Sequence, residues 1–359
     1  QNILLGTHPF IMPGPGTFPV DIMNKPELMI QFEGKFLTEY NNYKIFKQSY
    51  FNLINGNNLY GLYPDYHWDF YKYSPTFSLF MGIMAYLPDV LGLSIWNILN
   101  AITVFLAIRM LPLATRTQGL LLWFVAQELL TCLQNNQSNG LMAGLMIAAW
   151  ACMHRGKAVW ATLWIVLAAY IKVYSVIAFC MVLFYPGRVK FILWAIFWTL
   201  LLGALPLLVT SPQTLLWQYQ NWKELIAADA VAATGISVAG WLETWFGITN
   251  VKTAVSLAGI GLFLLQLVRF NVYKNDVYRL LITASILVWV VIFNHKAESP
   301  TFVIAVAGVG IWYYIQPRAT WRLVVLLLVL FFTCFGTTDL FPPFVRQQFI
   351  YPYTIKVVP

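Results

Sequence analysis

The chain has 359 residues, 59% apolar and only 10% charged, with a formal net charge of +8 and a mean hydropathy of +0.66. Soluble domains average about 45–50% apolar and about 25% charged, so a water-soluble enzyme, a disordered chain and a collagen-like rod are excluded. The apolar runs, such as 280–293 and 324–335, are long and unalternated; this excludes the ~10-residue alternating strands of an outer-membrane barrel and predicts an all-α polytopic membrane protein.

Residues 1–74 hold no membrane-length apolar run, and residue 1 is Gln. Within them Phe46, Tyr50, Phe51 and Ile54 recur at helical spacing. That pattern predicts an amphipathic helix over 42–55, lying at the interface with its aromatics as membrane-belt anchors. Asn55-Gly56-Asn57-Asn58 reads as a turn. His67, Asp69 and Lys72 then place three ionisable groups immediately before an apolar helix.

From Pro75 onward apolar runs fall near 75–88, 91–109, 119–133, 140–153, 158–184, 190–210, 253–270, 279–294, 300–315 and 322–336. A spanning helix needs roughly 20 residues. The first run is too short for that, and the 158–184 run is too long and is interrupted by Lys172. Broken helices are tolerated where their backbone is buried in protein or lines a cavity, so 75–109 and 158–184 read as broken or re-entrant pairs, within about 9–11 membrane helices in all.

Charge tests that choice. With residues 1–74 outside, Arg109, Arg116, Arg155, Lys157, Arg188, Lys190, Arg269, Lys274, Arg279, Arg318 and Arg322 all fall in short cytoplasmic loops, half of the 22 basic residues. Reading both pairs as simple spans would alternate the basic loops between sides. The same topology calls for a first helix upstream of Gln1. The charge of +8 is therefore a topology signal; nucleic-acid binding would need a basic, aromatic-interleaved soluble surface. The expected organisation is an extracytoplasmic loop over 1–74, a membrane module over 75–210, a second extracytoplasmic loop over 211–252, membrane helices over 253–337 and an extracytoplasmic tail over 338–359.

Polar residues inside this apolar chain gather on the outer side. Gln134 to Asn139 is six consecutive amide or hydroxyl side chains between two runs; they either cap a helix or hold sugar hydroxyls without adding charge. Lys172 costs about 2.5–3.5 kcal/mol within a span, and such residues mark substrate paths; a cation here suits an anionic phosphate. His295, Lys296 and Glu298 share a short turn before Pro300, which starts the next helix. Glu128, beside Gln127, either pairs with a polar neighbour or lines a cavity. The four cysteines lie in apolar runs and read as small buried hydrophobes. No Walker loop, metal-binding His/Cys cluster or Gly-x-Ser-x-Gly elbow is present.

Gly56 to Tyr60, Tyr73-Ser74-Pro75, Gln137-Ser138-Asn139 and Lys172 to Ser175, in that order and on one side, resemble the alpha-mannosyltransferase-like family of polyprenyl-phosphate-dependent integral membrane glycosyltransferases of the GT-C fold class. The His295 to Pro300 turn is similar to that of a Bacteroidetes-type branch. The resemblance implies inverting transfer of a mannose-like sugar from a lipid-linked phosphosugar to an acceptor hydroxyl, at the extracytoplasmic face of the inner membrane. It also implies a carboxylate base in the first outer loop, at the position that Asn42 occupies here, and an amide cannot take a proton.

Such a transfer needs a base for the acceptor proton and cations for the departing phosphate. Asp69 is the first candidate for base, followed by Glu39 and Glu298, with Asp65 weaker. Lys172, with Lys72, His295 or Lys296, would bind the donor phosphate. Asn42, His67, Asn136, Gln137 and Asn139 would hold the sugar or the acceptor. No cofactor is called for and no ligand cluster asks for a metal; the expected partners are the lipid-linked donor, a glycan, lipid or protein acceptor, and membrane lipid. Two other readings compete. A non-catalytic subunit of a membrane complex would explain Asn42, and a transporter or flippase would place intramembrane charge on both halves of a pseudo-symmetric chain.

Overall fold

Proline, glycine and isolated polar residues cut the apolar runs into helices whose ends fall at two levels. The computed structural model of the chain describes residues 40–63, 65–67, 69–229, 234–294 and 297–359. The expectations placed on Glu39, His295, Lys296, the first 39 residues and a helix before Gln1 lie outside the described residues. In chain order the helices are α1 (Asn41–Ile54), α2 (Pro75–Phe80), α3 (Gly82–Ala85), α4 (Asp89–Arg109), α5 (Thr115–Gln134), α6 (Asn139–His154) and α7 (Ala158–Ile171). After a 3-10 helix over Val173–Phe184 come α8 (Arg188–Ala204), α9 (Pro212–Asp229), α10 (Val238–Phe246), α11 (Lys252–Leu267), α12 (Asp276–Ile292), α13 (Phe302–Tyr314) and α14 (Thr320–Leu328). The last of these runs on into wider π turns over Val329–Cys334. No strand occurs among the described residues; the protein is an all-α polytopic membrane protein.

Local chemistry sets the ends. Ser74 accepts a hydrogen bond from the Phe77 amide while Pro75 takes the first helical position of α2. Asn275 caps α12 by accepting from the Val277 and Tyr278 amides.

The central element is α6, buried from Asn139 through Met153, as a helix that is apolar all round must be. Its 16 residues span about 24 Å and join two chemically different ends. At one end His154 faces Asp276 at 3.5 Å, the Arg155 guanidinium donates to the Met110 carbonyl, and Arg279 donates to the Phe184 carbonyl. The loops after α4, α6, the 3-10 helix and α11 thus meet there and form the basic end. At the other, amide end, Asn139 accepts from Lys172.

Of the two broken stretches, 158–184 returns to the end it left, whereas 75–109 does so only over its short α2–α3 part, after which α4 crosses to the basic end. The α2–α3 pair enters from Tyr73 and comes back at Leu87 and Asp89, where Lys47 of α1 contacts both. Helix α7 rises from the basic end to Lys172, whose extended backbone (φ −138°, ψ 118°) breaks it. The 3-10 helix then descends to Phe184, at the basic end. Two helices, Asp89–Arg109 and Arg188–Leu208, are each long and apolar enough to cross a membrane; Ala158–Ile171, Val173–Phe184, Lys252–Leu267, Ser299–Tyr314 and Thr320–Cys334 are shorter apolar helices. Apolar side chains such as Ile98, Ile102 and Phe105 of α4 and Ile192, Leu193 and Ile196 of α8 face outward, while Asn100 and Glu128 are fully buried.

One expectation changes, and one open pairing closes. Phe46 is 1% exposed and packs edge-on against Tyr73, Phe77 and Trp96, with ring centroids 4.9, 5.3 and 5.5 Å away. It is therefore a core residue and not a belt anchor, because the re-entrant α2–α3 pair offers α1 an apolar wall to lie on. Lys44 and Lys47 clamp α1 to Asp89 at the start of α4. The segment after residue 337 reaches back into the bundle: the buried Lys356 ammonium pairs with Glu128 at 2.8 Å, which settles the partner of that carboxylate.

The docking of α1 also needs Gly92. A Cβ there would lie 1.9 Å from the Tyr43 hydroxyl, whereas one at Gly119 of α5 would meet nothing within 4 Å. Gly92→Ala is expected to cost about 1–3 kcal/mol by overpacking and to lower the melting temperature in detergent. Gly119→Ala, in a helix with open space, is expected to leave the temperature unchanged or raise it.

Candidate active site

Six segments converge at the amide end around a cavity of about 390 Å³. Asp69, Phe70, Lys72 and Tyr73 come from the loop before α2, and Gln137 from the α5–α6 loop. Lys172, Val173 and Tyr174 come from the break after α7, and Asn294, Glu298 and Thr301 from the α12–α13 turn. Asn42, Ile45 and Phe46 of α1 and Leu225 and Ile226 of α9 complete the wall.

Each wall segment is held by bonds of its own. The loop before α2 lies against α9: Gln218 accepts from the Leu59 amide at 3.1 Å and donates to the Asn57 carbonyl at 2.6 Å, and Trp222 donates to the Lys72 carbonyl at 3.3 Å. Asp69 accepts from the Phe70 amide at 2.7 Å with one oxygen and faces Lys72 at 3.4 Å with the other. The Lys172 ammonium donates to Asn139 Oδ1 at 2.8 Å and sits 5.7 Å from the centre of the Tyr73 ring. An ammonium has three donors, so Asn139 uses one of them.

Opposite, Glu298 opens the turn before α13 in a reciprocal capping pair with Thr301. Its Oε2 accepts from Gln137 Nε2 at 3.2 Å, and Gln137 Oε1 accepts from the Tyr73 hydroxyl at 3.4 Å. A Tyr73–Gln137–Glu298 chain of hydrogen bonds thus crosses the cavity wall, with a carboxylate at its end. Tyr174 lines the cavity, and its hydroxyl is buried with no hydrogen-bond partner among the described residues, so a polar ligand can use it. Asn42 Nδ2 donates to the Asn135 carbonyl at 2.8 Å. An aspartate could not make that bond, so the amide at this position does structural work that suits the α5–α6 loop.

Of the residues singled out in the sequence, Asn42, Asp69, Lys72, Gln137, Lys172 and Glu298 line this one cavity. Asn139 stands one bond behind, as the partner of Lys172. Asn136 does not line it: it takes the left-handed turn (φ 54°), open to Asn, and its carbonyl accepts from the Trp96 indole at 3.0 Å. His67 does not line it either, being 4% exposed with its ring 5.9 Å from that of Tyr63. Sequence reasoning gave no role to Tyr73 and Tyr174, which stood in the Tyr-Ser-Pro and Lys172 to Ser175 motifs, or to Asn294 beside the His295 to Pro300 turn, and it did not name Thr301, whose proximity is tertiary. Among the described residues no three His, Cys, Asp or Glu side chains converge to hold a metal.

A larger groove of about 770 Å³ opens between α11, α12 and α13, with walls such as Leu262, Phe263, Trp289 and Trp312. Among the described residues its lining holds one cationic side chain, Arg269, and no carboxylate, whereas the smaller cavity holds charges of both signs.

Residues 70–337, well over half of the chain, match the family model of Glycosyltransferase family 87. The match begins immediately after Asp69 and takes in Lys72, Gln137, Lys172 and Glu298. No curated protein and no solved structure matches the chain.

His67 gives this region an acid sensitivity. Burial pushes it from 6.5 down to about 4, with the Asp69 backbone and charge pulling the other way. Between those values the unfolded chain binds a proton that the folded chain refuses, so stability falls as the pH drops from 6.5 toward 4, by at most about 3 kcal/mol. Melting in detergent at pH 7.5 and 4.5 should show His67→Phe losing less on acidification than the parent.

Proposed function

Because the chain belongs to glycosyltransferase family 87, and is thus a membrane glycosyltransferase, we propose that its amide-end cavity transfers a mannose-like sugar from a polyprenyl-phosphate-linked donor to an acceptor hydroxyl. The observation that carries this reading is the convergence of a carboxylate, Asp69, and two ammonium groups, Lys72 and Lys172, on one cavity inside an apolar bundle. A donor whose leaving group is a phosphate on a lipid needs those cations and a wall open to hydrocarbon. It needs no nucleotide-binding domain.

In the proposed step the acceptor oxygen attacks the anomeric carbon while Asp69 takes its proton. The bond from that carbon to the phosphate oxygen breaks, and the electron pair leaves with the lipid phosphate, whose charge Lys172 and Lys72 stabilise. Attack opposite the leaving group inverts the anomeric centre. Glu298, oriented by Gln137, and the Tyr174 hydroxyl hold sugar hydroxyls, with Glu298 second in line as base. Asn42 serves as a donor to the backbone of the α5–α6 loop, and the carboxylates elsewhere in the cavity favour catalysis over a non-catalytic subunit. In the membrane, the positive-inside rule places the basic end in the cytoplasm and the cavity on the extracytoplasmic side of the inner membrane. The acceptor is a lipid, a glycan or a protein.

Incubation of the full-length protein with a panel of polyprenyl-phosphate sugars tests the reading. Asp69→Asn is expected to lower transfer by about 10²–10⁴-fold, the usual contribution of a general base. Lys172→Met should lower it by about 10²-fold or more, with both variants keeping the parent's melting behaviour. Parent-like rates in both would overturn these assignments.

A further inference from the structure

Lys356 lies beyond the span that matches the family, yet it is 2% exposed and reaches into the bundle. Its ammonium donates to both carboxylate oxygens of Glu128, at 2.8 and 3.0 Å, and to the Ser299 hydroxyl at 2.9 Å. Those three bonds use all three of its hydrogens, so none remains for a phosphate or a sugar. Glu128 is fully buried in the second half of α5, the helix that leads into the loop carrying Gln137. Ser299 directly follows Glu298. One ammonium therefore ties together the support of Gln137, the support of Glu298 and the C-terminal segment. That segment is itself anchored: Thr333 donates to the Lys356 carbonyl at 2.9 Å, and Trp245 donates to the Tyr353 carbonyl at 2.6 Å.

Lys356 also borders a second cavity of about 300 Å³, lined by Trp241, Phe302 and Val306 among others. The Glu298–Phe302 turn is thus a partition. Glu298 and Thr301 face the site, and Phe302 and Lys356 face an apolar space into which the turn could relax. Among the described residues, the Lys356–Ser299 bond braces it from that side by a charged group.

We propose that Lys356 is a positioning residue that props the turn through Ser299 and so holds Glu298 against Gln137 at the site cavity. The proposal rests on reading that cavity as the site of glycosyl transfer. Misplacing a group by about 1 Å can cost about 10²-fold in rate, so the brace acts on turnover without touching substrate.

Two readouts on the full chain test it. The first is amide exchange across residues 297–301, with α6 as internal reference. The second is kcat and KM for transfer from polyprenyl-phosphate mannose. In Ser299→Ala, and in a Glu128→Gln/Lys356→Met double variant that removes both charges together, exchange in the turn should rise at least about tenfold while α6 stays protected. In both, kcat should fall about 10- to 100-fold with KM within about twofold. Lys356→Arg, which keeps the charge and several donors, should restore most of the protection and the rate. Unchanged exchange and kcat in Ser299→Ala would overturn the proposal, as would loosening of α6 along with the turn. Ser299→Ala carries the test even if the double variant does not fold. If the parent transfers no sugar from this donor, the donor assignment fails, while the exchange measurement still decides whether Lys356 props the turn.

Discussion

A lysine held inside an apolar bundle is the constraint on which the rest of this structure depends. An ammonium in hydrocarbon is costly, so the chain has to supply polar partners and a cavity around Lys172. Helix α7 stops there, the backbone becomes extended for one residue, and a 3-10 helix carries the chain back. That break lets Asn139 reach the ammonium and brings Tyr73 and Tyr174 alongside. The start of the α2–α3 pair packs beside that break, with Ser74 donating to the Tyr170 carbonyl, and the loop carrying Asp69 and Lys72 leads into it.

The same economy of charge accounts for the supporting structure. Three charged groups drawn into the bundle each meet a polar partner: Glu128 meets Lys356, Lys172 meets Asn139 and the cavity carboxylate of Glu298 meets Gln137. Breaking a buried pair by removing one partner leaves an uncompensated charge, at a cost of about 3–5 kcal/mol. The C-terminal segment thereby becomes part of the bundle. Helix α6, buried along nearly its whole length, keeps the amide end and the basic end a fixed distance apart. The polar site and the cation-rich loops are thus separated by a rigid apolar layer.

Much of this was legible before any coordinates. Composition called for a helical membrane protein, and the run lengths at 75–88 and 158–184, with Lys172 inside the second, called for broken helices. Scarcity of charge made Asp69, Lys72, Lys172 and Glu298 conspicuous, and all four line the cavity. His67 and Asn136 were equally conspicuous, but one is packed beneath the loop and the other forms a left-handed turn. Polarity identifies a residue that must be satisfied, and it does not say whether a ligand or the backbone does so. Phe46 misled in the complementary way, because helical spacing of aromatics fits a membrane surface and a protein surface equally well.

By itself, then, the sequence determined the medium, the helical class and the split between a cation-rich end and an amide-rich end, because these follow from local composition and from the cost of charge in hydrocarbon. Only the tertiary structure decided which of those groups share a cavity, that Asn42 donates to the Asn135 carbonyl, and that Glu128 belongs to Lys356, 228 residues later. Such pairings depend on how helices far apart in the chain come to lie side by side, and no local pattern records that.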